Sequence, residues 1–241
     1  MREPGQHVDA PAEVLGAERG GAHPQVQRRA GAEVPRQARE PVVEQRLREE
    51  LLAGLPALLE SEPALGEQGD VLWYPDRSWH GRTYVPATCA MSGGFELFGY
   101  VRFLSAAEGR EPSDFSAQLD FTDEVAARNP DWQLDLCDEV IGSWRGEAGA
   151  SAAMTLVWGH PLVSGARIAT GELAGLTVDQ CELKGERFTL LAPDDYRQDL
   201  LEIAVFDARG RELARESLYT ADDQDGEAAT EEAPNGEQDG G

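Results

Sequence analysis

The chain has 241 residues, 45 of them acidic and 21 basic, for a net charge of −24. That balance argues against a sequence-blind nucleic-acid binder, which needs Lys and Arg gathered on one face to neutralise phosphates, and against an anionic membrane surface. It suits solubility and a basic partner or a cation. No run is long and apolar enough to span a bilayer, so membrane insertion is not expected. The N-terminus as written has no apolar stretch of the kind a secretory signal needs, which leaves a cytoplasmic location as the default expectation.

Residues 2–60 use only ten residue types, all with codons that begin in G or C, and the chain carries 20 Arg against one Lys. Both features point to a GC-rich genome, most simply a bacterial one. From Arg2 to Pro41 only Leu15 and scattered valines could be buried, so residues 1–42 read in one of two ways. They are a disordered arm, or they lie upstream of a later start at a GTG codon near Val42 or Val43. After Pro41 the pattern changes. Leu47, Leu51, Leu55 and Leu58 recur at helical spacing among Glu44, Arg46, Arg48, Glu49 and Glu50, which predicts an amphipathic helix over 43–61. Gly54 and Pro56 interrupt it, with Pro56 suited to the first turn of a second short helix. The leucine stripe is expected to dock on the domain that follows. The alternative is a helix offered to a partner.

All 17 aromatic residues, the three cysteines and the single lysine, Lys184, fall between Trp73 and Tyr219. The folded domain is therefore placed at 70–219, where the net charge is −12. Cys89, Cys137 and Cys181 are widely spaced, lack any zinc-ligand pattern and sit in or beside apolar runs. They read as reduced thiols acting as small apolar residues; the alternative is one disulfide with a spare thiol, which would imply an oxidising compartment.

Alternation with a period of two dominates this region. Phe95, Leu97, Gly99, Val101 and Phe103 share one strand face, opposite Glu96, Phe98, Tyr100 and Arg102. Phe115, Ala117, Leu119 and Phe121 form a second face, Trp132, Leu134 and Leu136 a third, and Ala152, Met154, Leu156 and Trp158 a fourth. Leu201, Ile203 and Val205 form a late one. Turns are expected at Ser92-Gly93-Gly94, Asn129-Pro130, Gly159-His160-Pro161 and Pro193-Asp194-Asp195. A four-residue hairpin loop is expected at 207–210, with Gly210 left-handed. Thr122 caps an expected short helix that runs to Arg128.

About ten short strands at this spacing imply a mainly β fold, an antiparallel β-sandwich or a barrel-like domain. A seam near 146–151 would divide it into two small lobes. The order within 152–219 of strand, glycine turn, strand and closing hairpin resembles bacterial immunoglobulin-like modules, a resemblance that brings no functional residue with it. Residues 220–241 hold eight acids from Ala221 on and no base, and read as a solvated acidic tail.

Among candidate sites, the densest aromatic stretch is 73–82. Trp73, Tyr74, Arg77, Trp79 and His80 have the composition of a recognition hot spot or a ligand-stacking platform; the plainer expectation is two strands about a Pro-Asp turn, with the tryptophans filling the core. Asp135, Asp138 and Glu139 could offer oxygen ligands to a calcium ion, although a solvated face explains them as well. Asp194, Asp195 and Asp199 have similar standing. Glu96 or Arg102 would face the ligand if the sheet closed into a barrel.

For catalysis the domain offers only His80 and His160, and it holds no nucleophile elbow, phosphate loop, HExxH or Rossmann pattern. The sequence therefore favours a non-enzymatic protein-interaction module with no cofactor and a partner bearing a basic surface. The rivals are a small-ligand-binding β-barrel, a hydrolytic enzyme with a site near Trp73, Trp79 and His80, and an acidic mimic of nucleic acid.

Overall fold

Apolar alternation resolves into twelve antiparallel strands arranged as three sheets, which the computed structural model describes over residues 41–105, 111–145, 151–194 and 200–218. The expected arm before residue 41 and the acidic tail lie outside the described residues. The first sheet holds β1 (Gln68–Trp73), β3 (Arg82–Met91), β4 (Glu96–Leu104) and β5 (Ser113–Thr122) in that order, and the short β2 (Arg77–Trp79) also pairs with β3. The second holds β10 (Phe188–Asp194), β7 (Ser151–Pro161) and β6 (Leu134–Arg145). The third runs β12 (Glu212–Ser217), β11 (Glu202–Phe206), β8 (Ile168–Leu173), β9 (Leu176–Glu182). Each sheet is open, and no barrel closes among the described residues.

The apolar clusters give the layer order. Helices α1 (Pro41–Leu52) and α2 (Leu55–Ser61) lie on one face of the first sheet. Leu47 and Leu51 pack there with Val85, Ala87, Val101 and Phe103, while Leu55 and Leu65 join Cys89, Met91 and Leu97. The leucine stripe thus docks on the first sheet, the first of its two readings, and Pro56 sits in the first turn of α2. The other face of the first sheet brings Tyr74, Tyr84 and Tyr100 against Leu156 and Trp158 of β7. Val157, between those two residues, points the other way and meets Ala169, Leu190, Ile203 and Val205 between the second and third sheets.

The central strand of the second sheet is therefore buried on both faces, which is why β7 reads as the near-continuous run Ala-Ala-Met-Thr-Leu-Val-Trp rather than as a clean alternation. Two expected turns are absorbed by this sheet. Gly159-His160-Pro161 closes β7 and Pro193-Asp194 closes β10, because both segments continue ladders whose partners are in place.

The expected seam joins β6 to β7, which pair with each other from Leu134↔Pro161 to Arg145↔Ser151. Residues 146–150 themselves lie outside the described residues. Residues 152–219 accordingly share their first strand's sheet with β6 and do not stand as a separate immunoglobulin-like module. The helix expected after Thr122 shrinks to a single 3-10 turn, Ala126–Arg128. The Thr122 hydroxyl accepts the Glu124 amide at 3.0 Å, which makes a local turn rather than a helix cap. Trp132 lies before β6 instead of within it. The hairpin at 207–210 forms as expected, with Gly210 at φ 77° and Asp207 accepting the amides of Arg209 and Arg211.

The three cysteines are free, and each belongs to a different apolar cluster. Burial pushes every one of the thiols up. No helix among the described residues is long and apolar enough to cross a membrane.

Candidate functional site

The connection from β5 to β6 carries the chain from the first sheet to the second and concentrates charge as it does so. Residues 120–139 contain seven carboxylates (Asp120, Asp123, Glu124, Asp131, Asp135, Asp138 and Glu139) and one base, Arg128. Local bonds hold this segment. Arg128 donates to the Asp123 carbonyl at 3.1 Å, and Asn129 donates its side-chain amide to the Val125 carbonyl at 3.0 Å. The only guanidinium of the segment is thus used on main chain. At the start of β6 a carboxylate oxygen of Glu216 accepts the amides of Gln133 and Leu134 at 2.8 and 3.0 Å.

Along β6 the side chains alternate. Asp135, Cys137 and Glu139 face the first sheet, while Asp138 faces the other way, beside Val157, and is exposed. Asp135 lies opposite His160, with 3.8 Å between Oδ2 and Nδ1. Glu139 accepts the Gln118 side-chain amide at 2.9 Å, and Gln118 in turn accepts the Tyr100 hydroxyl at 3.1 Å. The three carboxylates weighed as calcium ligands therefore do not converge, and among the described residues no group of three or more His, Cys, Asp or Glu is placed to hold a metal ion.

Crowded carboxylates in a partly dry layer hold protons. Burial, with Asp135 adding to it, pushes Glu96 up to about 7. Burial also raises Asp135 against the opposing pull of His160. Desolvation raises Glu139, with Asp138 next in effect, and partial desolvation followed by Asp194 pushes Asp138 up to about 6.

Glu96 yields a stability prediction. Its folded-state value lies above its ordinary 4.5, so the folded state binds the proton more tightly than the unfolded state does. The resulting penalty is absent below about pH 4, grows through the interval between the two values and is constant above about pH 7. Glu96→Gln removes it. The variant is expected to be more stable than the parent by about 1–2 kcal/mol at pH 8, after allowance for solvent at a partly buried side chain, with the difference vanishing near pH 4. Urea unfolding at the two pH values measures it, and a gain that is equal at both would contradict the assignment.

The aromatic stretch 73–82 is divided between two layers. Trp73 packs on the helix side of the first sheet, whereas Tyr74 and Trp79 face the second sheet. The two tryptophans thus do not line one pocket. The ring of Trp79 lies against Gly142 of β6, where any Cβ would strike it. His80 is exposed at φ 49° and Gly81 follows at φ 77°, so the pair forms the two-residue hairpin turn between β2 and β3, and the imidazole lies against Trp79 with ring centroids 4.2 Å apart and planes tilted by 49°.

Arg77 works as a clamp between sheets. It donates from Nε to the Thr189 carbonyl at 2.8 Å and from Nη2 to Asp179 at 2.6 Å, while Asp179 also accepts the Leu191 amide at 2.8 Å. Arg187 ties the same corner by donating to the Trp73 carbonyl at 2.8 Å. Sequence reasoning singled out Arg77 but had no signal for Asp179, Arg187 or Glu216, whose partners lie far away along the chain.

Of the two residues considered for a barrel lumen, both face the space between the first and second sheets, and Arg102 donates to Ser116 at 2.9 Å. Asp194 is 2% exposed and accepts the Leu201 amide at 2.8 Å, which makes it a structural residue of β10. Asp195 and Asp199 lie outside the described residues. A cavity of about 240 Å³ opens instead beside the second histidine, lined by His160, Pro161, Val163, Ala166, Leu183 and Glu186. Neither Trp73, Trp79 nor His80 contributes to it. No protein-family model matches the chain, and neither a curated protein nor a solved structure matches it.

Proposed function

We propose that this chain is a non-enzymatic protein-interaction module that presents the acidic β5–β6 side to a partner with a basic surface. The observation that carries the reading is the way cations are used. Among the described residues Arg46 pairs with Glu50, Arg77 with Asp179, Arg82 with Asp114, Arg211 with Asp207, and Arg215 with Glu172, Glu202 and Glu212. The seven carboxylates of 120–139 receive none of them, and His160 beside Asp135 is the one ion-pair partner they have there. A lysine- or arginine-bearing surface would supply the missing charge, speed encounter by steering and lose hold as salt is added. Val140 and Trp144, 58% and 37% exposed, place apolar area on the strand that carries Asp135, Asp138 and Glu139, the mixture a docking surface uses.

The test compares two variants of the full chain with equal net charge, using a labelled ten-residue peptide of alternating lysine and valine as a stand-in for the basic surface. One variant neutralises Asp120, Asp123, Glu124, Asp131 and Asp138 as amides. The other neutralises Glu44, Glu60, Glu62, Glu67 and Asp70. The first is expected to weaken binding at least tenfold and the second less than twofold. Equal weakening would mean that net charge alone drives association, and the proposal would fall.

A further inference from the structure

The second sheet has two edges, and the molecule treats them differently. Along β10 two outward main-chain groups are occupied by side chains of other strands. The Thr189 carbonyl accepts from Arg77, the Leu191 amide donates to Asp179, and the Arg77–Asp179 ion pair at 2.6 Å links the two caps. Side chains there stand in for a neighbouring strand. At the other edge Glu216 caps the amides of Gln133 and Leu134, and the capping stops at that point. Among the described residues the main chain of β6 from Asp135 onward pairs with β7 alone. An open edge is a template for another strand, and proteins commonly guard such edges with lysine, proline or a bulge. Here a bulge lies between Val140 and Gly142, and the stretch before it carries the exposed Val140 next to Asp138 and Glu139, acids that guard the edge against another acidic strand but not against a cationic one.

We propose that an extended segment bearing lysine or arginine adds to this edge as a fourth strand of the second sheet, alongside residues 135–140. The inference rests on the reading of the acidic β5–β6 side as a docking surface and gives that reading a geometry. Main-chain hydrogen bonds to β6 supply the pairing, Val140 supplies apolar contact, and Asp138, Glu139 and Asp120 select the cationic side chains. A second copy of this chain is disfavoured at the same edge, because strand pairing would set Asp138 and Glu139 against their own kind.

The experiment uses the full chain and the lysine–valine peptide, together with two further versions of that peptide N-methylated at alternate residues, one in each register. All three carry the same charge, but each methylated version is blocked along one edge. At least one of the methylated versions is expected to bind tenfold more weakly than the parent. Val140→Lys, at an exposed position, is expected to weaken the parent peptide tenfold while leaving the melting temperature unchanged. Amide hydrogen exchange is expected to show peptide-induced protection at 138–140. Equal binding of all three peptides would overturn strand addition while leaving the charge-based proposal standing. Protection confined to β5 or β9, or a dimer of the chain that Val140→Lys dissolves, would overturn the edge or the occupant. Failure of every peptide to bind would sink both proposals.

Discussion

Leu47→Ala is expected to lower the free energy of unfolding by about 3–4 kcal/mol, within the range found for emptied leucine sites in well-packed cores. Leu47 is 0% exposed and sits where α1 meets the first sheet, enclosed with Leu51, Val85, Ala87, Val101 and Phe103. Helical spacing of the leucines cannot by itself say whether such a stripe is buried at home or reserved for a partner; the facing side chains of β3 and β4 decide it. The sheet surface under α1 is apolar along its length, so loss of the leucine leaves a cavity that a rigid sheet fills poorly. Glu44→Ala, on the solvent side of the same helix, is expected to stay within about 0.5 kcal/mol of the parent. Urea unfolding of both variants measures the contrast. Two equal and small effects would show that the stripe is not part of the core.

The second large effect is expected at Asp179. Its carboxylate accepts from Arg77 and from the Leu191 amide, so Asp179→Ala strands a guanidinium and an amide in one step. Both side chains of the ion pair are only about a quarter exposed, at 27% and 22%, so water replaces the lost partner poorly. The expected cost is about 2–3 kcal/mol. Asp179→Asn keeps an oxygen acceptor for Leu191 and is expected to lose about half as much. A double-mutant cycle with Arg77→Ala should return a coupling of about 1–3 kcal/mol. Simple additivity of the two single variants would show that the clamp is two independent contacts. The same substitution uncaps β10, so the variant is also expected to aggregate more readily than Glu96→Gln at equal concentration.

Fold class was legible because the driving pattern is local. Leu97, Gly99, Val101 and Phe103 report a strand face by alternation alone, and that face is the one under α1. What lay beyond the sequence was the number of layers. β7 is buried on both sides, and burial on two faces erases alternation, so Thr155 and Val157 gave no sign that a third sheet covers them. Gly159 and Pro193 looked like turn residues because their intrinsic preferences are for turns, but the ladder partners Leu136, Phe188 and Met154 override that preference.

The candidate site shows the same division. The trio Asp135, Asp138 and Glu139 was readable as an acidic group, but the wider run of acids over 120–139 was not singled out, and which strand face each of the trio occupies depends on register with β7, which separates them. The aromatic stretch was readable as two strands. Its division between two layers depends on the sharp break at Tyr74-Pro75-Asp76, after which β2 rejoins β3 with its side chains toward the second sheet.

Zero-length carbodiimide coupling of the native protein in an extract of its source cells, where the proposed basic partner would be captured, tests the central claim most directly. The reagent joins carboxylates to lysines, and with Lys184 as the only lysine of this chain nearly all links must report the partner. The account predicts that they fall on Asp120, Asp123, Glu124 and Asp138. Links that fall instead on Glu44, Glu60 or Glu212, with the β5–β6 carboxylates unmodified by the partner, would contradict it.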